Sequence, residues 1–359
     1  MARARHGMYI YPREWPAAVK AAFVSDQSVE VREVDDPVPG PGEVLVEMAA
    51  CGICGSDVER VYGSYSQPSM RLGHEPAGTV VQSRAGGISG GDRVFTHHHV
   101  PCYSCHYCTR GSETMCTEYS KSNLSPCGLA QRYVVPRHNI MHGGIIRLPE
   151  KITFEDAALI EPLACCIRAW RKAPISEGDA IGIIGVGATG MMHAMLAKSM
   201  GASKVFCIDT NPFRLEFARK CNVGEPIGAT DPDRMDKILD GTENRGVDVA
   251  MVATGNIGAL QEGIQMVRKG GTAVMFGVPS TGAAMNLDMA GLYSREVTLA
   301  SSYAASDRDT REALKLMSSG GIDVSPLITH RYPLEDSQRA FEHARGGADS
   351  MKIVITGKA

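Results

Sequence analysis

Nowhere does an apolar run approach the roughly 18 residues that a membrane-spanning helix requires. Residues 1–18, MARARHGMYIYPREWPAA, carry arginine, histidine, glutamate and two prolines, and lack the apolar stretch of a secretory signal. They read as a short extension ahead of the first strand, and the expected compartment is the cytoplasm. There is no excess of one charge either: 37 basic against 40 acidic side chains leave a net −3, which gives no reason to expect nucleic acid or an anionic membrane as partner. Internal repeats and low-complexity linkers are missing too. What remains is ordinary for a soluble protein, 43% hydrophobic and 21% charged, and 359 residues are enough for two domains with their own cores.

Cysteine, by contrast, is plentiful. Four of the eleven fall in one sixteen-residue segment, as Cys102-Tyr-Ser-Cys105-His-Tyr-Cys108 and then Cys116. They are too tightly grouped to staple a domain with disulfides, and the spacing reads as metal binding. Four thiolates in one loop can close a tetrahedral shell around zinc with no vacancy for water, a structural site in a lobe of about residues 96–117. An iron–sulfur cluster is the competing reading. A second constellation is Cys51-Gly-Ile-Cys54-Gly-Ser56-Asp57, followed by Gly73-His74-Glu75. A thiolate and an imidazole on separate segments, with carboxylates close by, form the ligand set of a zinc site with room for substrate.

Up to about residue 140 the chain reads as β, with short strands at 19–23, 29–34, 43–48, 78–81 and 93–95 separated by Gly, Pro and Ser turns, in a barrel-like arrangement. Helical spacing over 162–170 bridges to a different rhythm. Ala180-Ile-Gly-Ile-Ile184 is a continuous apolar run, as expected of a strand buried on both faces. Helix (191–200), strand (204–208), helix (212–220), strand (246–252), helix (258–268) and strand (272–276) then alternate, with 296–300 as a last strand. That is a doubly wound parallel sheet, and the fold class is α/β. A helix over 308–317, a polar–apolar loop and a final strand at 352–355 are expected to pack back on the first region.

Gly185-Val-Gly187-Ala188-Thr189-Gly190 follows a strand and opens a helix, the context in which this pattern cradles a dinucleotide pyrophosphate. Asp209 ends the next strand, nineteen residues on, where its carboxylate can accept from the adenosine ribose and repel a 2′-phosphate, so NAD is favoured over NADP. Arg214 lies close enough to stack on adenine or to assist a 2′-phosphate, which keeps NADP open.

Together these motifs, with Gly91-Asp-Arg-Val94 and Glu161-Pro-Leu163, resemble the zinc-dependent medium-chain alcohol dehydrogenase superfamily, and within it the polyol/sugar and threonine dehydrogenase branch. The resemblance runs from Val19 onward. It implies a GroES-like β-barrel catalytic domain (1–168 and 303–359) split around a Rossmann domain (169–302). It also implies two zinc ions, NAD as cofactor, an alcohol or polyol substrate and a homo-oligomer, tetramer or dimer. Carried over by position, it makes Cys54 and His74 catalytic zinc ligands, Glu75 a carboxylate that ligates directly or moves in and out, and Glu161 a further acidic ligand. Asp57 would orient the histidine, Ser56 would take the substrate proton, and Thr254, Gly277 and Val278 would join the glycine loop in holding the cofactor. Two positions depart from the pattern. Glu59 stands where many members end the proton relay with histidine, and Ser302 replaces the arginine that sorbitol-type members often carry before Tyr303. The implied activity is hydride transfer from a secondary alcohol to NAD, giving a ketone. The alternatives are a threonine-type amino-alcohol dehydrogenase and, more remotely, a non-catalytic zinc- and nucleotide-binding protein.

Other groups read first as structure. His97-His98-His99 are taken as solvated or hydrogen-bonded, with their place at the barrel rim the one reason to consider a substrate contact. Cys51, Cys165, Cys166 and the Met191-Met192-Met195 face are assigned to the core. Arg168, Trp170 and Tyr62 are divided between cleft lining and packing.

Overall fold

The computed structural model describes residues 18–63 and 70–357. The expected N-terminal extension, residues 1–17, lies outside the described residues. β1 (Ala18–Ser25) and β2 (Ser28–Asp35) form an antiparallel hairpin. β3 (Val44–Gly52) leads into the short helix α1 (Gly55–Tyr62). Then come β4 (Pro76–Ser83), β5 (Arg93–Thr96), β6 (Arg132–Val135), α2 (Arg137–Met141), β7 (Ile145–Arg147) and α3 (Phe154–Ala157). The four-cysteine lobe, between β5 and β6, has only two 3₁₀ turns, at Cys108–Arg110 and Glu113–Met115.

α4 (Ile160–Trp170), almost entirely buried, crosses to the second sheet. There β8 (Ala180–Ile184), α5 (Ala188–Ser199), β9 (Lys204–Asp209), α6 (Pro212–Lys220), β10 (Glu225–Gly228) and α7 (Arg234–Gly241) alternate. β11 (Val247–Val252), α8 (Ile257–Met266), β12 (Val267–Met275), α9 (Met289–Arg295) and β13 (Thr298–Ser301) complete it. The six strands are parallel in the order β10-β9-β8-β11-β12-β13. Because the order reverses beside β8, a crevice opens at the carboxyl ends of the strands. β8 and β11 are buried at every position, so neither face alternates. That double burial lets the apolar runs 180–184 and 247–252 identify themselves as central parallel strands.

The chain ends with α10 (Asp307–Ser319), β14 (Ile328–Pro333), α11 (Ser337–Gly346) and β15 (Lys352–Thr356). β15 pairs antiparallel with β3, Val354 opposite Gly52 and Ile355 opposite Cys51. The expected return to the first region is thus a strand added to its sheet, which runs β14-β15-β3-β4-β5-β7 with β6 also on β3. Two expectations need correction. The helix expected at 258–268 stops at Met266, because Val267 already pairs with Val247 and pulls the chain into β12. The polar–apolar loop expected before the last strand holds β14 and α11, and Leu334 in the turn between them joins Ala340 and Phe341 of α11 in the first core. Their mixed polarity hides the helical period.

Candidate active site

Cys54 ends the turn out of β3 and caps α1, its carbonyl accepting from the backbone N–H of Asp57 (3.0 Å). His74 and Glu75 sit just ahead of β4, the neighbour of β3, so one sheet brings both segments to one end. One ligand atom each from Cys54, His74 and Glu75 lies within 4.8 Å of the others. Asp57, fully buried on α1, places Oδ2 3.2 Å from Nδ1 of His74. That contact occupies one ring nitrogen and leaves Nε2 for a ligand, the usual role of a carboxylate behind a metal-binding histidine. Burial works against the charge on Asp57, yet His74 and Arg60 hold its carboxyl below the ordinary range. Burial likewise opposes protonation of His74, but Asp57 and the Cys54 sulfur raise it well above an ordinary histidine.

Glu75 is fully buried, and Lys352 at the start of β15 donates to its Oε1 over 2.7 Å. Burial pushes the Glu75 carboxyl up, with Lys352 and His74 opposing. Burial depresses the Lys352 ammonium, but Glu75 and Cys54 more than offset that and raise it. Room for this pair comes from Gly52: a Cβ there would stand 1.8 Å from Glu75 Oε2 and 2.7 Å from the Lys352 stem. Lys352 was not recognisable in the sequence, where it is one lysine at the head of an apolar strand. Only the β15–β3 pairing puts it beside Glu75.

Glu161, nearly buried in the first turn of α4, does not join the three-ligand group; its Oε1 accepts from the Cys165 thiol at 3.3 Å. It is close enough to push the Glu75 carboxyl up by like charge. Ser56 is half-buried and Glu59 exposed on α1; neither lines the cleft described next. The histidine run divides. His97 is buried against Asp307 (3.1 Å), His99 lies 3.3 Å from Asn123, and the ring of His98 sits 5.1 Å from that of His74. His98 therefore packs directly on a candidate ligand.

A cavity of about 590 Å³ starts at Cys54, Glu75 and Lys352 and runs to Gly185, Gly187, Asp209 and Arg214. Ala188, Thr189 and Thr254 also line it, whereas Gly190, Gly277 and Val278 do not, and Val278 is exposed. Gly190 acts behind the wall: a Cβ there would meet the Gly185 carbonyl oxygen at 1.9 Å, so only glycine lets α5 close on the loop. Gly187 caps α5 and aims its free N–H groups into the cleft, as a pyrophosphate requires. Asp209 accepts from the backbone N–H groups of Val186 and Asn211, both at 2.8 Å, and Arg214 stands 3.8 Å from its Oδ2.

In the lobe, one sulfur each from Cys102, Cys105, Cys108 and Cys116 gathers within 4.8 Å, with the Cys102–Cys116 and Cys105–Cys108 pairs 3.5 Å apart. Ser104 and backbone N–H groups bring the Cys102 thiol down to about 6, while burial lifts Cys108 to about 12. Cys51 is a buried thiol pushed well up by burial and by Glu75, and Cys166 and the methionine face lie in the core. Cys165 is only half-buried. Arg168 does not reach the cleft: it bridges Glu113 (3.1 Å) and Asp309 (3.6 Å), tying the lobe to α10. Trp170 is core, and Tyr62 lies under Arg345 of α11.

A parallel dinucleotide sheet joined to a β-sheet that presents Cys54 and Glu75 of a sulfur–nitrogen–oxygen ligand group to the same cleft defines a metal-dependent dehydrogenase. The family pattern described as alcohol dehydrogenase GroES-like domain matches residues 40–149, and that described as zinc-binding dehydrogenase matches 188–319. The chain belongs to the zinc-dependent medium-chain alcohol and polyol dehydrogenase superfamily. It is 32% identical to D-xylulose reductase A of Aspergillus niger, over 95% of this chain and 97% of that protein. Identity to the sorbitol dehydrogenase of Bacillus subtilis is 31%, over 92% and 94%. Among solved structures, an alcohol dehydrogenase from Thermus sp. ATN1 superposes with a TM-score of 0.85 at 26% identity, over 94% of this chain and all of that one.

Proposed function

We propose that the chain oxidises a secondary alcohol of a polyol, sugar or cyclitol to the ketone, with NAD as hydride acceptor. One observation carries this reading: a single cleft has Cys54 and Glu75, the two members of the ligand group that line it, at one end and the glycine loop with Asp209 at the other. The names of the two curated relatives support a polyol substrate. Zinc bound at the first end supplies a Lewis acid that makes an alcohol easier to deprotonate. Cys54, His74 and Glu75 would hold it, with Glu161 joining directly or through water. The soft thiolate, the borderline imidazole with its Nδ1 already claimed, and a movable carboxylate suit that ion. Cys102, Cys105, Cys108 and Cys116 would hold a second, structural zinc.

The chain's own part follows from position. Ser56 follows the cleft-lining Cys54 and Gly55 in the first turn of α1 and is the hydroxyl proposed to take the alcohol proton once substrate is bound, with exposed Glu59 one turn on passing it to solvent. Asp57 keeps the His74 ring oriented. Asp209 favours NAD by repelling a phosphate on the ribose, and Arg214 is the group that favours NADP. Ala188, Thr189 and Thr254 line the cofactor's path, with Gly190, Gly277 and Val278 supporting it from behind. The catalytic domain is taken as 1–168 with 303–359 and the cofactor domain as 169–302. The proposed assembly is a homotetramer, with a dimer as alternative, because β13 leaves an open sheet edge flanked by exposed Tyr293 and Met289. None of the eleven cysteines is joined in a disulfide, which favours the cytoplasm.

Zinc-loaded enzyme is screened at the NADH absorbance band against polyols, sugars, inositols and amino alcohols. Turnover of polyols is expected, abolished in Cys54→Ser while NADH binding persists. Full activity in that variant, or none on any alcohol in the parent, defeats the proposal.

A further inference from the structure

A second group of metal-type side chains lies outside the cleft. His330 is on β14, His343 near the end of α11 and Asp349 in the loop that leads to β15. One ring nitrogen from each histidine and one carboxylate oxygen lie within 4.8 Å of each other, and the two ring centroids are 4.2 Å apart. The hydrogen bonds behind the rings matter more than their proximity. Nδ1 of His330 is 3.0 Å from the Thr329 hydroxyl, and that hydroxyl donates to the Lys352 carbonyl (3.4 Å). The same hydroxyl accepts from the Met351 N–H at 3.0 Å, so Nδ1 of His330 is held in a backbone-anchored network and Nε2 is the ring nitrogen left for a ligand. Nδ1 of His343 is 2.8 Å from the Tyr332 hydroxyl, and its Nε2 is 2.8 Å from Asp349 Oδ1. Both imidazoles are steadied at Nδ1 by a hydroxyl, the outer support that metal-binding histidines commonly have, and the His343 Nε2–Asp349 hydrogen bond is the contact that an entering cation would replace, with release of the Nε2 proton to solvent.

We propose that His330, His343 and Asp349 form a third metal site, exchangeable and selective for a borderline divalent cation such as Zn²⁺. Two nitrogens and one oxygen suit such an ion better than Mg²⁺ or Ca²⁺, which take oxygen ligands. Three ligands leave positions for water, and Asp349 is 68% exposed, so the ion enters and leaves from solvent. The loop 347–351 connects this site to the cleft. Asn211 donates to the carbonyls of Gly347 (2.9 Å) and Ala348 (3.2 Å), and Ser350, Met351 and Lys352 line the cavity. An ion on Asp349 fixes the middle of that loop, and so ties cofactor affinity to metal supply.

The test counts zinc by mass spectrometry in the zinc-loaded enzyme dialysed against buffered Zn²⁺. The parent is expected to take up one more equivalent than the His330→Gln/His343→Gln variant, and Tyr332→Phe to hold that equivalent about tenfold more weakly. NADH affinity should respond to added Zn²⁺ in the parent and not in the double variant. Asp349→Asn, at an exposed position, removes a ligand without disturbing packing, and should also lose the extra equivalent if misfolding clouds the histidine variants. Equal zinc in parent, double variant and Asp349→Asn at every free concentration overturns the site.

Discussion

Lys352 and Glu75 form a buried ion pair separated by 277 residues of chain. Removing one partner leaves the other charge without solvent, so Lys352→Met is expected to cost about 3–5 kcal/mol in urea unfolding. Adding Glu75→Gln to that variant should recover most of the loss, since no lone charge then remains; failure to recover would mean that the pair is not what holds Gly52, Glu75 and Lys352 together. A neutral counterpart is His193 on α5, fully buried between Trp170 (5.7 Å) and Phe276 (4.4 Å), with neither ring nitrogen hydrogen-bonded among the described residues. Burial drives its pKa down to about 3, so it stays uncharged across the working range. Because unpaired buried polar atoms cost about 1–3 kcal/mol, His193→Leu should raise the melting temperature. A drop instead would assign those nitrogens an unseen partner.

At the level of elements, the four-cysteine lobe docks on the start of α10 through His97, Tyr103 and Arg168. His97 faces Asp307 at 3.1 Å, and Tyr103 donates to the other oxygen of that carboxylate at 3.1 Å. Burial works against a charged His97, but Asp307, with Glu161 and Asp309 farther off, outweighs it and raises the imidazole above its ordinary pKa. A raised folded value means that the ion pair's stability is complete below about 6.5, the unfolded value. It is lost as pH climbs through the folded one. His97→Gln should therefore cost about 3 kcal/mol at mildly acidic pH and clearly less in alkaline solution, read from paired unfolding curves. Equal costs at both ends would place the contribution in packing alone.

Elements also show where the sequence speaks clearly. Runs such as 180–184 and 247–252 are apolar at every position because both faces are covered, and they locate the parallel sheet without further help. Cys54, His74 and the four lobe cysteines announce themselves through ligand type and spacing. The roles of Lys352, Gly52 and His98 do not, because each depends on which strand pairs with which, and periodicity carries no such information. α11 and β14 escaped for a local reason, their apolar residues being too sparse to display a period.

For the molecule as a whole, the open edge at β13 is the feature most exposed to experiment. Tyr293 on the neighbouring α9 is 86% accessible and Met289 67%, side chains that a lone protein surface rarely offers together. Tyr293→Glu is expected to shift the mass in solution toward the monomer by light scattering, with the cleft intact. An unchanged mass would move the interface elsewhere. Across the described residues no helix is long and apolar enough to cross a membrane.

The pairing of β15 with β3 has a consequence for biosynthesis. Ribosomes deliver the sequence from the amino end, so Glu75 emerges long before the lysine that neutralises it. Until Lys352 arrives, the early strands must wait with the last part of β3 unpaired on one side and an acid beside it without its partner. Catalytic competence is thus acquired only once β15 has been made, and nascent fragments ending before that strand should be inert clients for chaperones.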